Sequence, residues 1–434
     1  MAKDTDPGLQ KQIIYSIFVR NHTPEGTFRA LIPDLPRIRE LGADIVWLMP
    51  IHPVGEKARK GSLGSPYANR DYRRVDPAYG SIEDFRALAE AVHENGMKLM
   101  IDVVYNHTSP DSVLWETHPE FFYKRPDGSP GNRVGDWSDI IDLDYSAPGL
   151  WDYQIESLKY WAGTVDGFRC DVASLVPLDL WKRARAEVEK VRPGCVWLAE
   201  SVHSSFNSFC RMNGMYASRD ADAYEAFDIE YDYDIRESFD RFLRGELPLS
   251  AWTELLNLQE QAYPANYNKL RCLENHDQPR IASLVSGEAE LESFTAMQFF
   301  LKGTTLLYAG QERALKHRPS LFDKDTIDWS DGTDISPMIS KLAAFKKEYL
   351  EPDDIFYAAA DDASCTAVMT RQSGERVKTG IFPLRAQPSE LGVRLPDGIY
   401  EDLLFGAAAE VKDGRLLCEG RPMLIVSDAV TGQV

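Results

Sequence analysis

The chain has 434 residues, too long for one average domain, and 44% of them are hydrophobic, so sizeable cores can be buried and wholesale disorder is excluded. With 68 acidic against 48 basic residues the formal net charge is −20 and no polybasic stretch interrupts it, which excludes a nucleic-acid partner. Residues 1–12 are polar and lack the apolar core of a secretory signal, and no stretch reaches the roughly 18 apolar residues of a membrane span; the expected location is the cytoplasm, or the cell exterior with its signal trimmed, and no membrane partner is expected.

Short apolar runs alternate with amphipathic helical stretches from the N-terminus onward. The runs fall at 13–19, 45–49, 98–104, 167–172, 196–199, 227–231, 270–273 and 304–308. Several are rich in Val, Ile, Tyr or Phe, as buried strands are. Eight such units are the count of a closed (β/α)8 TIM barrel. Ser81 and Asp84 are placed to form a capping box. Phe85, Leu88, Ala89 and Val92 then follow at helical spacing. Gly96 supplies a left-handed stop, as Gly42 does after 35–41.

After the third run this rhythm breaks. Residues 108–148 are rich in Pro, Gly, Asp and aromatics, far too long for a βα loop, and predict an inserted subdomain. After about residue 353 the helical period is lost. Alternating segments at 365–370 and 377–382, with turns at Ser373-Gly374 and Pro396-Asp397-Gly398, predict a C-terminal antiparallel β-sandwich. The expected division is thus a barrel at 1–107 and 149–352, a subdomain at 108–148 and a β domain at 353–434. Cys170, Cys195, Cys210, Cys272, Cys365 and Cys418 show no CxxC pairing, which predicts reduced, mostly buried thiols.

In such barrels the chemistry sits at the C-terminal ends of the strands. Run three ends in Asp102 and leads to Asn106 and His107. Run four ends in Arg169, Cys170 and Asp171, and run five in Glu200. Run seven leads to Glu274, Asn275, His276 and Asp277. Taken singly, an Asp after a strand is ordinarily a helix cap, and a buried Arg–Asp pair is commonly structural. Four strand ends carrying carboxylates in one barrel point instead to acid–base and nucleophilic chemistry.

The order of these fragments resembles the four signature regions of the α-amylase family of glycoside hydrolases, family 13. The likeness extends to Gly64-Ser65-Pro66-Tyr67, to Asp71-Tyr72, to Val75-Asp76-Pro77 and to TTLLYAGQE at 304–312. It implies a retaining enzyme of α-linked glucose with Asp171 as nucleophile and Glu200 as general acid/base. Neighbouring parallel strands lie about 4.8 Å apart, so these carboxylates should stand roughly 5 Å apart. That is the spacing of retaining glycosidases; inverting ones need about 6.5–9.5 Å. Strand alternation puts Arg169 on the face of Asp171, where its charge would keep that carboxylate ionised. Glu200 must carry a proton, so its pKa should be the higher of the two.

The resemblance makes Asp277 the third carboxylate, His107 and His276 hydroxyl ligands in the same subsite, and Tyr67 the platform under the sugar ring. In the insert, Trp115, Phe121, Phe122, Tyr123 and Trp137 either line a sugar groove or form a small local core. Ser174 and Leu175 stand where many secreted α-amylases carry Lys-His. That puts in doubt the family's +2 subsite contacts from that pair and the calcium ligand that the His carbonyl often supplies. Asn106 matches a calcium ligand of many members, and Asp142 and Asp144 could assist, but calcium takes six to eight oxygens. The expectation is therefore that no cofactor is required for the chemistry and that a structural calcium is doubtful. The first strand begins near residue 13, so the N-terminal β domain by which cyclomaltodextrinases dimerise is not expected, and the oligomeric state is left open.

Three functions follow. The first is cleavage of α-1,4-glucosidic bonds in maltodextrins or starch-derived oligosaccharides by double displacement. The second is α-glucan transfer, or action on a disaccharide as an α-glucosidase, through the same intermediate. The third, a non-catalytic sugar-binding or escort protein, conflicts with the retention of Asp171, Glu200 and Asp277.

Overall fold

The computed structural model describes residues 5–428; the first four residues of the polar segment 1–12 and the last six of the C-terminal segment lie outside the described residues. Eight parallel strands close into a barrel. They are β1 (Ile13–Ile17), β2 (Ile45–Leu48), β3 (Lys98–Val103), β4 (Gly167–Cys170), β5 (Val196–Ala199), β6 (Ile229–Tyr231), β7 (Lys269–Arg271) and β8 (Thr304–Tyr308). Each pairs with its sequence neighbours, and β1 pairs with β8 to close the ring.

Two-residue alternation divides the strand side chains into two cores. Ile14, Ile45, Trp47, Met100, Leu198, Tyr231, Leu270 and Leu306 fill the barrel interior. Ile13, Tyr15, Val46, Leu99, Phe168, Trp197 and Leu307 pack outward against the helices. Gly167 is required where β4 meets β5: a Cβ there would lie 2.8 Å from the Val196 carbonyl oxygen. That close approach sets the register Cys170 to Ala199, so Asp171 and Glu200 leave neighbouring strands side by side.

All eight predicted strands are present, with displaced ends. β1 stops at Ile17 because Val19–His22 turns helical. β6 begins at Ile229 because the N–H of Phe227 is taken by the Ala223 carbonyl. β7 ends at Arg271 because the carbonyls of Cys272 and Leu273 accept from the Arg236 guanidinium instead of a ladder. Ser81 and Asp84 form the reciprocal capping box at the head of helix Ile82–Glu94, and Gly96 follows with φ 70°.

The excursion after β3 contains helix Val113–Thr117 and a short ladder pairing His107–Thr108 with Ile141–Asp142. Its aromatics divide. Phe121 and Phe122 are buried, and Trp115 meets the Phe122 ring edge-on at 5.3 Å, forming a local core. Trp137 faces the barrel mouth instead.

Past helix Ser336–Tyr349 come two four-stranded antiparallel sheets. One contains β9 (Ile355–Asp361), β10 (Thr366–Ser373), β11 (Arg376–Pro383) and, from the end of the chain, Met423–Asp428. The other contains Ser389–Gly392, Gly398–Glu401, Ala408–Lys412 and Arg415–Cys418. Ile381 and Ile425 of the first pack on Leu391, Val411 and Leu416 of the second, which makes a sandwich. Asp354 pairs with Arg371 at 3.0 Å and Lys378 at 2.6 Å, and Arg371 also donates to the Phe300 carbonyl, tying sandwich to barrel. The six cysteines are unbridged; five are buried and Cys365 is half-buried. Among the described residues no helix is long and apolar enough to cross a membrane.

Candidate active site

Arg169 is the hub of the barrel mouth. It is fully buried, projecting from β4 into the interior with its guanidinium over the rings of Trp47 and Tyr231. Asp102 is its register partner on β3, and Arg169 Nη1 reaches both of that carboxylate's oxygens at 3.0 and 3.1 Å. The same Nη1 donates to Asp171 Oδ1 at 3.0 Å, and Nη2 stands 2.8 Å from Glu200 Oε1. One guanidinium thus clasps three buried carboxylates. From the sequence Arg169 serves Asp171 alone; in the structure its single charge is shared.

The electrostatics follow. Burial pushes Asp171 up to about 6, partly offset by Arg169 and reinforced by the charge of Asp102. Burial likewise pushes Glu200 up to about 7, against Arg169 and with the repulsion of Asp171 and Asp277. Asp102 rises to about 6 for the same reason. Glu200 stands above Asp171, the expected order, but Asp171 is raised, not held down. Replacing Arg169 with Met would leave this carboxylate group without its cation. We expect about 3–5 kcal/mol lower stability, read as the shift in a urea-unfolding midpoint; an unshifted midpoint would contradict the hub.

The turn after Asp171 carries backbone strain. Val172 is β-branched yet adopts φ 36°, ψ 45°, a conformation costing about 1–3 kcal/mol. It aims the Val172 N–H at Glu200 Oε2, 2.8 Å away, while the Ala173 N–H donates to the Glu200 carbonyl at 3.0 Å. The two catalytic candidates are therefore locked together through backbone as well as through Arg169.

Asp277 follows β7 in a turn held by Asn275, whose Oδ1 accepts from the N–H groups of Asp277 and Gln278 at 2.8 Å each. His276 Nε2 lies 3.0 Å from Asp277 Oδ2 and 2.7 Å from the Tyr67 hydroxyl. Burial would raise the Asp277 carboxyl, but the adjoining His276 imidazole holds it down at about 2. Tyr67 stacks on His276 at 5.4 Å and donates to Asp102 at 3.1 Å. His107 is buried, which lowers its pKa and keeps the ring neutral, and it faces Trp137 at 5.7 Å. Tyr67, His107, Asp171, Glu200, His276 and Asp277 line one cavity of about 350 Å³, in the size range of small-molecule sites, with Arg169 beneath it. Lys60, Asp139 and Ile140 line the cavity too and come from loops without a motif, whereas Leu321 and Phe322 belong to 319–329, a stretch that resembles the family's segment after the eighth strand. From the sequence alone Asp102 has no assigned role, although the β3–β4 register pairs it with Arg169.

Asn106 stands apart from the cavity that holds Asp171 and Glu200. Its amide nitrogen lies 3.2 Å from His107 Nδ1. It borders a second cavity of about 360 Å³ shared with Asp142, Asp144, Leu175 and Arg133. The Arg133 guanidinium stands 4.0 Å from Asp142 Oδ2, and the Arg133 N–H donates to that oxygen at 2.7 Å. Asp144 Oδ1 is occupied by the Ser146 N–H and hydroxyl. Among the described residues no group of three or more His, Cys, Asp or Glu is placed to hold a metal. Asp142 Oδ1 is buried without a hydrogen-bond partner among the described residues.

A closed parallel barrel whose β4 and β5 each lead into a buried carboxylate is the architecture of a barrel enzyme with its chemistry at the C-terminal mouth. The family model for the α-amylase catalytic domain matches residues 4–126 and 134–350, and that for the bacterial α-amylase C-terminal domain matches 358–425. The chain belongs to the α-amylase family, glycoside hydrolase family 13, whose members act on glycosidic bonds. Among solved structures it is similar to an α-amylase from Lactobacillus plantarum, at 44% identity and TM-score 0.94, over 97% of this chain and 100% of that one. It is also similar to a noncanonic maltogenic α-amylase, AmyB, from Thermotoga neapolitana, at 32% identity and TM-score 0.86, over 98% and 100% of the two chains. A curated relative, an α-1,4-glucan:maltose-1-phosphate maltosyltransferase from Pseudomonas aeruginosa, is 35% identical over 213 residues. That match covers 43% of this chain and 32% of the relative, so the chain spans about a third of that protein's length.

Proposed function

We propose that this protein cleaves α-1,4-glucosidic bonds of malto-oligosaccharides with retention, Asp171 acting as nucleophile and Glu200 as general acid/base. The observation that carries the reading is the clasp: one buried arginine holds both carboxylates on register-paired strand ends at the floor of a cavity. In the first step Asp171 attacks the anomeric carbon, Glu200 gives its proton to the glycosidic oxygen, and the leaving chain departs with a free 4-hydroxyl. In the second step Glu200 takes a proton from water, the resulting oxygen attacks the same carbon, and Asp171 is released, which restores the α-configuration. Asp277, charged at the open edge, and the neutral His107 would hold ring hydroxyls through the distortion between these states. Incubation with maltoheptaose, followed by proton NMR, tests the reading. The α-anomer of the new reducing end should appear first; no released sugar, or β-anomer first, would overturn it.

Activity needs Asp171 without its proton and Glu200 with one. The profile of kcat/KM should therefore rise as pH increases through about 6, fall as it passes through about 7, and form a narrow bell. The two limbs belong to the coupled pair. A plateau extending well into the alkaline range would contradict it.

A second reading is transfer of the glucosyl unit to another sugar hydroxyl in place of water. It is favoured by the transferase names of the partial-length curated relatives, and hydrolysis by the full-length likeness to α-amylases. Products longer than the maltotriose supplied would establish transfer. Under either reading, EDTA should leave rate and Tm unchanged, since Arg133 stands at Asp142; a loss reversed by added calcium would contradict this.

A further inference from the structure

The walls of the cavity differ at its two ends. On the side of β2 and β8 they are tied together. Lys60, in the segment after β2, pairs with Asp139 of the insert at 2.9 Å and donates to the Asp136 carbonyl at 3.1 Å. The next residues of that segment bind the one beyond β8: the Leu63 N–H donates to the Phe322 carbonyl at 2.9 Å, and the Ser62 hydroxyl to Asp323 Oδ1 at 2.7 Å. Insert, β2 segment and β8 segment thus form one continuous wall, and Lys60, Asp139 and Phe322 face the cavity from it.

The β5 side is different. Helix Ser204–Met212 follows Glu200 and carries Phe206, Phe209 and Met212 at three-residue spacing, one face of a helix. Phe206 meets Trp137 of the cavity lining at 5.9 Å, and Phe209 stacks on Phe206 at 6.1 Å with 17° between the rings. Phe209 is 48% exposed and Met212 87% exposed, so an apolar ridge leads from the cavity into solvent. The net charge is strongly negative and the ridge is uncharged, which suits a neutral chain presenting C–H faces of its sugars to aromatic rings.

We propose that the cleft is one-ended: a glucan sits with its non-reducing end against the Lys60–Asp139 wall and the rest of its chain over Phe206 and Phe209. This rests on the roles of Asp171 and Glu200 given above, because the proton from Glu200 goes to the leaving oxygen and so places the departing chain on the β5 side. The enzyme then removes a short unit from the non-reducing end. The wall sets the length of that unit, and the ridge sets the preference for long chains.

The test compares 4-nitrophenyl maltoheptaoside with the same compound blocked by a 4,6-O-ethylidene group on its non-reducing glucose. The blocked compound should be cleaved at least about a hundredfold more slowly, since the block meets the wall. Lys60→Ala, at a half-buried position of the wall, should narrow that gap. Phe206→Ala should lower kcat/KM for maltoheptaose about fivefold more than for 4-nitrophenyl α-maltoside, the loss of one stacking contact. Equal cleavage of free and blocked compounds, or equal losses on long and short substrates, would overturn the one-ended cleft while leaving the catalytic reading intact. No cleavage of either compound would overturn the catalytic reading, and this proposal with it.

Discussion

Asp171→Asn should lower kcat on maltoheptaose by at least about ten-thousandfold. The amide has the shape of the carboxylate but cannot form the glycosyl ester, so the loss falls on chemistry. Arg169 keeps Asp102 and Glu200 as partners, and one buried charge competing for that guanidinium is removed. Tm should therefore hold or rise, which distinguishes lost chemistry from lost folding. The charge of Asp171 also helps to raise Glu200, so Glu200 should titrate lower in this variant. With the smaller Asp171→Gly variant, added azide should attack from the vacated face and yield the β-glycosyl azide. Activity within tenfold of the parent, or an α-azide from the glycine variant, would remove Asp171 from the role of nucleophile.

Glu200→Ala should separate substrates by their leaving groups. On maltoheptaose, where the departing oxygen must be protonated, kcat/KM should fall by about a thousandfold or more. On α-maltosyl fluoride the departing fluoride needs no proton, so the first step should persist and the glycosyl-enzyme accumulate. Azide should then restore turnover, giving the α-glycosyl azide. The Val172 N–H and Arg169 each lose a partner in this variant, but the cavity lies open beside them and water can take the place of the carboxylate. Equal losses on both substrates with no azide effect would mean that Glu200 acts only on structure.

The barrel was legible because its signals are local. Strand runs, the Ser81–Asp84 box and Gly96 each depend on a few adjacent residues, and the structure has them where the pattern put them. Strand ends were less legible, since β7 is cut short by a side chain from another element, Arg236. Tyr67, His107, Asp171, Glu200, His276 and Asp277 could be named from the sequence because strand-end position and motif order are also sequence properties, and they stand together in one cavity. What escaped was long-range. Nothing adjacent to Asp102 indicates that it takes the larger share of Arg169; that follows from β3–β4 register. The raised pKa of Asp171 comes first from burial and then from the neighbouring carboxylates that share one arginine, neither of which spacing along the chain encodes. The left-handed Val172 runs against the preference of its own side chain and is held only by its surroundings. The insert aromatics show the same limit: Phe121 and Phe122 turn inward and Trp137 toward the cleft, although composition treats them alike.

Retention by double displacement requires a covalent bond between Asp171 and the sugar. Reaction with 5-fluoro-α-D-glucopyranosyl fluoride, which slows breakdown of the intermediate more than its formation, should leave a stable glycosyl-enzyme. Peptide mass spectrometry should then place the sugar on Asp171, with Glu200 and Asp277 unmodified. A sugar on any other carboxylate, or turnover of the compound with inversion and no adduct, would contradict the account.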